Sequence, residues 1–178
     1  VPMAKSISLL QGLSSPMKAS KGLHEQFAQF FEHPTRDGLR SLLQTHCVEL
    51  NELDFKKDWP SWSRLSRSIL AMANSGGGCI VVGVEQTSEN AFNPIGATTV
   101  IDKSSVHDGN KKYLPEQLRY EVLDFPFPAS EYPKLVGKSF QVLIVEDEAQ
   151  YIPFVCKTDG DDIRAAAIYV RRGTGSSE

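Results

Sequence analysis

An apolar run directly after three consecutive glycines constrains the fold of this chain more than any other feature. Residues 79–84 read Cys-Ile-Val-Val-Gly-Val without a polar interruption, which is typical of a strand buried on both faces. Before the glycines, Leu65, Ile69 and Ala73 recur at helical spacing, and Ser61 is placed to cap that helix. A helix that turns directly into a buried strand predicts an α/β (α+β) fold, with a mixed sheet packed against helices.

The composition predicts an ordinary folded domain without a global affinity for polyanions. Of the 178 residues, 40% are hydrophobic and 23% are charged, which excludes a disordered or fibrous chain. Nineteen basic and 22 acidic residues give a net charge of -3. Any site for nucleic acid must therefore be a local patch of basic side chains.

The apolar segments and the cysteines predict a cytoplasmic chain that does not contact a membrane. The run 79–84 is far too short to span a bilayer, and segment 7–10 is too short for a secretory signal. Cys47, Cys79 and Cys156 are odd in number, far apart and in no CxxC motif. This pattern indicates free thiols in a reducing compartment.

The chain is expected to have three segments. Residues 1–20 are interpreted as a tag scar followed by a loosely ordered N-terminus. Residues 21–46 are predicted to form a helical extension, because apolar side chains recur at helical spacing and Thr35 or Asp37 can cap its second helix. Residues 47–178 are expected to form the main domain.

The main domain is predicted to alternate strands with helices. Leu114, Leu118 and Val122 have helical spacing, whereas residues 87–112 show few regular signals. The predicted strands are 50–56, 79–84, 140–145, 152–156 and 166–170. One core is expected to bury Leu53, Phe55, Ile69, Val81, Val82, Leu143 and Val145.

The glycine run at residues 74–78, Asn-Ser-Gly-Gly-Gly, is predicted to be a structural turn. Phosphate-binding loops run from a strand to a helix N-terminus, whose free N–H groups meet the phosphate. Here the order is helix, glycines, strand, so the loop meets the negative end of a helix dipole. We therefore expect a left-handed helix stop that does not hold ATP, with backbone contact to another ligand as the alternative.

Acidic side chains and one lysine cluster on the strand at 50–56. Strand alternation places Glu52, Asp54 and Lys56 on one face, whereas Glu49 joins them only across a bend, most naturally at Asn51. Carboxylates beside a lysine are what metal-dependent phosphodiester cleavage requires, with Mg²⁺ or Mn²⁺ held by Glu49 and Asp54. A solvated strand face with cross-strand ion pairs is the alternative interpretation.

Basic side chains form three candidate groups for phosphate contact. Arg64 and Arg67 lie on one helix face, where they can bridge adjacent phosphates. The tryptophans at 59 and 62 are interpreted either as a base-stacking platform or as a lid over the sheet. The candidate nucleic-acid contacts are Lys56, Lys57, Arg64, Arg67, Lys111, Lys112, Arg171 and Arg172.

Three motifs follow one another within residues 47–175. They are Glu-Leu-Asn-Glu-Leu-Asp-Phe-Lys at 49–56, Ala-Met-Ala-Asn-Ser-Gly-Gly-Gly-Cys-Ile-Val-Val-Gly-Val-Glu at 71–85, and Tyr-Val-Arg-Arg-Gly-Thr at 169–174. Taken in this order, they resemble the Schlafen-type AlbA domain, which is also described as a divergent AAA domain. The resemblance implies an α/β domain that binds DNA or RNA, often at one end of a larger regulatory or defence protein.

The same resemblance implies a possible nuclease site. Animal Schlafen proteins cleave structured RNA through three acidic residues, two of which correspond to Glu49 and Asp54. The third corresponds to Gln86, which has no charge, and the neighbouring Glu85 can replace it only if the turn shifts. Lys56 would lie beside the metal. This departure from the family pattern argues for weak metal binding and little cleavage.

Three hypotheses for function follow. The first is a nucleic-acid-binding domain (DNA or RNA) that contacts mainly phosphates. The alternative is a metal-dependent endoribonuclease that uses Glu49, Asp54, Lys56 and Glu85, and the second alternative is a protein-interaction or assembly module. No cofactor is expected except Mg²⁺ or Mn²⁺ in a nuclease. The chain is interpreted as a fragment whose partners are nucleic acid and the rest of a longer chain, with oligomerisation left open.

Overall fold

The computed structural model describes residues 16–45, 50–88, 91–173 and 175–177, which form helices and strands of an α+β fold. The helices are α1 (Pro16–Glu32), α2 (Arg36–Gln44), α3 (Trp62–Ala73) and α4 (Lys103–Asn110). The strands are β1 (Leu53–Lys56), β2 (Gly78–Val82), β3 (Val84–Ser88), β4 (Ala91–Pro94), β5 (Tyr120–Phe127), β6 (Lys138–Val145), β7 (Val170–Arg172) and β8 (Gly175–Ser177). The predicted fold class is confirmed. Among the described residues, no helix is long and apolar enough to cross a membrane.

A four-stranded sheet in the order β1-β2-β6-β5 organises the fold. Strands β1 and β2 are parallel and are connected through α3, whereas β6 pairs antiparallel with both β2 and β5. The pairs β3–β4 and β7–β8 form two further antiparallel ribbons. The buried run that begins after the glycines therefore starts as an interior strand of a mixed sheet, as predicted, but that strand ends at Val82, and Val84 begins β3 of a separate ribbon.

The sheet is covered on both faces, so the core has two halves. On one face, α3 packs with Ile69 against Ile80 and Leu143. On the other face, α1 and α2 pack against side chains that include Leu53 and Val81. The predicted core residues are all buried, but strand alternation divides them between the two faces, so they do not form one cluster.

The helix starts follow the predicted caps. The Thr35 hydroxyl accepts a hydrogen bond from the Gly38 N–H at 3.1 Å, and the Ser61 hydroxyl accepts one from the Arg64 N–H at 3.4 Å. Helix α1 begins at Pro16, within the segment for which no regular structure was expected. The remainder of that N-terminal prediction, on residues 1–15, lies outside the described residues.

Three predicted elements after residue 112 are wrong in type or extent. Residues 114–122 do not form a helix, because turns precede β5, which begins at Tyr120. The helical spacing of three buried side chains arose from a turn followed by a strand. Of the predicted strands 152–156 and 166–170, only the end of the second is a strand, since β7 begins at Val170.

The segment 87–112, expected to be irregular, contains both β4 and α4. Asp102 caps α4 by accepting a hydrogen bond from the Ser104 N–H at 2.9 Å. Helix α4 has only one buried apolar side chain, Val106. A single apolar residue gives no periodicity, so hydrophobic spacing could not reveal this helix.

The glycine turn between α3 and β2 has the predicted left-handed conformation. Gly76, Gly77 and Gly78 have φ angles of +92°, +82° and +154°. A Cβ atom on Gly77 would lie 2.7 Å from the Val145 carbonyl oxygen, and one on Gly78 would lie 2.5 Å from that of Glu52. The glycines therefore let three backbone segments approach closely, which confirms the structural turn.

Asn74 at the end of α3 fastens the C-terminal part of the chain to the sheet. Its side-chain amide donates to the carbonyls of Phe154 and Tyr169 at 2.9 and 3.0 Å, and its Oδ1 accepts from the Phe154 N–H at 2.7 Å. The Asn74 side chain thus satisfies backbone groups of Phe154 and Tyr169 that a neighbouring strand would otherwise satisfy. It explains why the segment is ordered without being a strand.

We expect Asn74→Ala to lower the free energy of unfolding by about 2 kcal/mol, because three hydrogen bonds are lost. Asn74→Asp is expected to cost at least as much, since a carboxylate can accept from Phe154 but cannot donate to the two carbonyls. Urea denaturation measures both values. An Asn74→Asp protein as stable as the wild type would contradict the assigned hydrogen bonds.

Candidate nucleic-acid interface

Asp54, the centre of the predicted acidic cluster, lies in a buried ionic group. Its carboxylate accepts a hydrogen bond from Lys56 Nζ at 2.9 Å through Oδ1, and Oδ2 is 2.8 Å from the same nitrogen. Arg171 Nη1 lies 3.8 Å from Oδ2. The Asp54 and Arg171 side chains are only 3% and 2% exposed. One buried carboxylate is therefore balanced by two cations.

Arg171 is anchored to the backbone as well as to Asp54. Its Nε donates to the Asn51 carbonyl at 3.1 Å, its Nη2 donates to the Leu50 carbonyl at 3.4 Å, and its backbone N–H donates to the Ser75 hydroxyl. The neighbouring Arg172 is exposed. Two adjacent arginines that the sequence grouped together thus have different surroundings, and only Arg172 is presented to solvent.

Among the other predicted acids, Glu85 is paired with a different lysine from the one that binds Asp54. Glu85 lies on β3 and accepts a hydrogen bond from Lys57 Nζ at 2.8 Å, which raises the pKa of that lysine. The turn at residues 50–53 confirms the predicted bend at Asn51. Glu49 lies outside the described residues, so its approach to Asp54 remains a prediction.

The described residues do not fit a divalent metal ion. Both oxygens of Asp54 face ammonium or guanidinium groups, which would repel a cation at the same place. Within residues 16–45, 50–88, 91–173 and 175–177, no three His, Cys, Asp or Glu side chains are grouped so that they could hold a metal.

The arginines of α3 are engaged by different partners. Arg64 Nη2 lies 3.3 Å from Asp162 Oδ1, and this hydrogen bond holds the pKa of Asp162 below its usual value. The Arg67 guanidinium carbon lies 5.2 Å from the centroid of the Tyr169 ring, a cation–π distance. Both arginines face the C-terminal part of the chain, so they help to hold it against α3.

Three exposed lysines meet on another surface, which we call the lysine surface: Lys111, Lys112 and Lys157. The Lys157 N–H donates to the Tyr113 carbonyl at 2.9 Å, and its Nζ donates to the Lys111 carbonyl at 3.4 Å. Lys112 Nζ lies 4.7 Å from the centroid of the Tyr113 ring. No ion pair among the described side chains involves these three lysines.

Sequence reasoning found two members of the lysine surface and missed the third. Lys157 is a single basic residue, distant in sequence from Lys111, and it directly follows a segment that was expected to be a strand. Its backbone hydrogen bond to Tyr113 brings it to the surface of Lys111. No local pattern could have indicated this pairing.

Trp59 and Trp62 form a lid over the sheet, which was one of the two interpretations; the other was a base-stacking platform. The Trp59 indole N–H donates to Gln141 Oε1 at 2.8 Å, and Gln141 also exchanges two hydrogen bonds with the backbone of Ile101. A Cβ atom on Gly109 would lie 2.4 Å from the Trp62 ring, so this ring packs directly against α4. Both indoles pack against the core on the α3 face.

The fold and these surfaces define a mixed α+β domain with one buried ionic group and one exposed lysine surface. The model of the Schlafen, AlbA_2 family matches residues 49–178, which is more than half of the chain. The chain therefore belongs to the Schlafen AlbA_2 family, and the resemblance seen in the three motifs is confirmed.

Comparisons with individual proteins add little to the family assignment. No curated protein matches the chain. Among solved structures, the chain is similar to the DIP2311 protein from Corynebacterium diphtheriae, with a TM-score of 0.49 and 16% sequence identity. The match covers 88% of this chain and 30% of that protein's chain, so this chain spans less than a third of its length.

Proposed function

We propose that this domain binds nucleic acid, DNA or RNA, mainly through contacts to phosphates. Membership of the Schlafen AlbA_2 family is consistent with such binding. The observation that carries the proposal is the lysine surface, where Lys111, Lys112 and Lys157 present ammonium groups to solvent. Lysines that are not neutralised by carboxylates are available to replace the counterions of a phosphate backbone.

The position of the charges supports the lysine surface over the other basic groups. Lys57 and Arg64 already form ion pairs with carboxylates, and Arg171 is buried. Each would have to exchange an internal partner for a phosphate. Arg172 is exposed at the end of β7 and provides a second candidate contact.

We further propose that the domain acts in the cytoplasm as part of a longer protein.

The endoribonuclease alternative depends on Glu49 approaching Asp54, and the contacts of Asp54 with two cations favour a structural role for that carboxylate. The binding experiment below distinguishes the interaction-module alternative, because a module that binds only proteins has no nucleic-acid affinity for the lysine substitutions to weaken.

We expect the double substitution Lys111→Ala and Lys112→Ala to weaken binding about tenfold, equally for different sequences, because phosphate contacts carry no sequence information. The slope of log affinity against log salt should become shallower by about one for each phosphate contact that is lost. Fluorescence anisotropy with labelled DNA and RNA at several salt concentrations measures both quantities.

The matched control removes two exposed basic groups elsewhere, through Arg36→Ala and Lys134→Ala. Both proteins then have the same net charge, so a difference between them reports the location of the charges. Arg172→Ala is tested alone, since a change at Arg171 would also disturb the buried ionic group. Equal affinity losses in the two double variants would contradict a localised phosphate site.

A further inference from the structure

A groove adjoins the lysine surface, between α4 and the turn that leads to β5. Its volume is about 360 Å³, which is within the range of small-molecule sites. Two lysines of the lysine surface line it together with two rings and an apolar floor. The lining residues that matter here are His107, Lys111, Leu114, Leu118, Tyr120 and Lys157.

One wall of the groove is aromatic. The His107 and Tyr120 rings are stacked, with centroids 4.5 Å apart and an angle of 24° between their planes. Burial raises the pKa of Tyr120 to about 12, so this ring stays uncharged. His107 is exposed, whereas Tyr120 is partly buried. Such a flat surface suits the face of a nucleobase, which stacks on aromatic rings whatever its identity.

The charges around the groove suit a nucleotide better than an isolated phosphate. Lys111 and Lys157 provide ammonium groups, but Asp108 and Glu116 also line the groove. A phosphate alone would be repelled by these carboxylates. A nucleotide has a charged part for the lysines and an uncharged base whose amino groups can donate hydrogen bonds to carboxylates.

We propose that this groove holds one unpaired nucleotide of a single-stranded nucleic acid, with its base against the His107 and Tyr120 rings and its phosphates against Lys111 and Lys157. The inference rests on the proposed function and makes it more specific. A base inside a duplex is stacked and paired, so it cannot enter the groove. The domain should therefore prefer single strands or unpaired positions.

The test compares His107→Ala with His24→Ala, an exposed histidine on α1, which packs on the opposite face of the sheet. The probes are a mixed-sequence strand of about 12 nucleotides, as DNA and as RNA, and the same strands annealed to their complements. We expect His107→Ala to weaken single-strand binding about five- to tenfold and to leave duplex binding unchanged. His24→Ala should change neither affinity. Thermal unfolding verifies that both variants are folded.

The outcomes separate this inference from the proposed function. If the wild-type protein binds neither strand nor duplex, both fail. If it binds with a salt dependence that requires the lysine surface, but His107→Ala has no effect on single strands, only the nucleotide site is overturned. Titration with adenosine monophosphate, whose base carries an amino group, identifies the source of the ligand, because a free nucleotide that binds as tightly as the strand would make the groove a mononucleotide site.

Discussion

Asp54→Ala is expected to lower the free energy of unfolding by about 3–5 kcal/mol, because it leaves the buried Arg171 guanidinium without its carboxylate. Lys56 loses the same partner, but its side chain is 31% exposed and can be hydrated. The whole domain is expected to be stable by only about 5–15 kcal/mol, so a loss of this size is severe. Urea denaturation followed by circular dichroism measures it.

Lys56→Ala is the matched control, since it removes the partly exposed member of the same ionic group and keeps Arg171 paired with Asp54. We expect it to cost about 1 kcal/mol. Similar losses for Asp54→Ala and Lys56→Ala would contradict a buried role for the carboxylate. The comparison also bears on the endoribonuclease alternative. Loss of RNA cleavage in Asp54→Ala reports on chemistry only when the variant is folded, so Asp54→Asn is assayed beside it.

Gly78→Ala is expected to destabilise the domain by about 3 kcal/mol or more. The new Cβ atom would lie 2.5 Å from the Glu52 carbonyl oxygen, which accepts the Cys79 N–H at 2.7 Å where β1 and β2 begin to pair. The φ angle of +154° adds strain for any residue with a side chain. Relief of this contact requires the two parallel strands to separate. The loss is measured by denaturant unfolding.

Gly76→Ala tests whether the destabilisation by Gly78→Ala comes from the close approach of the Glu52 carbonyl or from backbone strain alone. Gly76 also has a positive φ, +92°, but its Cβ would have nothing within 4 Å. This substitution is expected to cost only about 1 kcal/mol, the penalty of a left-handed conformation. If Gly76→Ala were as destabilising as Gly78→Ala, the approach of β1 to the glycine turn would not be the cause.

The local patterns that predicted the fold correctly were those in which one physical requirement dominates. The apolar run at 79–84 had to be buried, and Ser61 and Thr35 capped the helices that they were expected to cap. The failure at residues 114–122 has the opposite origin. Leu114 and Leu118 are buried by a turn and Val122 by a strand, so a helical spacing arose without a helix.

The candidate interface was less predictable because its members are brought together by tertiary contacts. Lys157 reaches Lys111 through a backbone hydrogen bond to Tyr113. Arg171 turns inward to Asp54, although its neighbour Arg172 has the same side chain and is exposed. Charge patterns along a sequence locate basic residues, but they do not reveal which of them already have a buried partner.

The helices α1 and α2 lie outside the segment 49–178 that identifies the family, yet they cover one face of its sheet. A gene fragment that encoded the matched segment alone would lack Phe30 of α1, whose ring lies 6.0 Å from that of Phe125 on the sheet, and would leave that face less covered. The segment that matches the family model is thus shorter than the segment that covers both faces of the sheet. If this domain were transferred to another gene, that gene would have to include α1 and α2 or encode another element that covers the same face of the sheet.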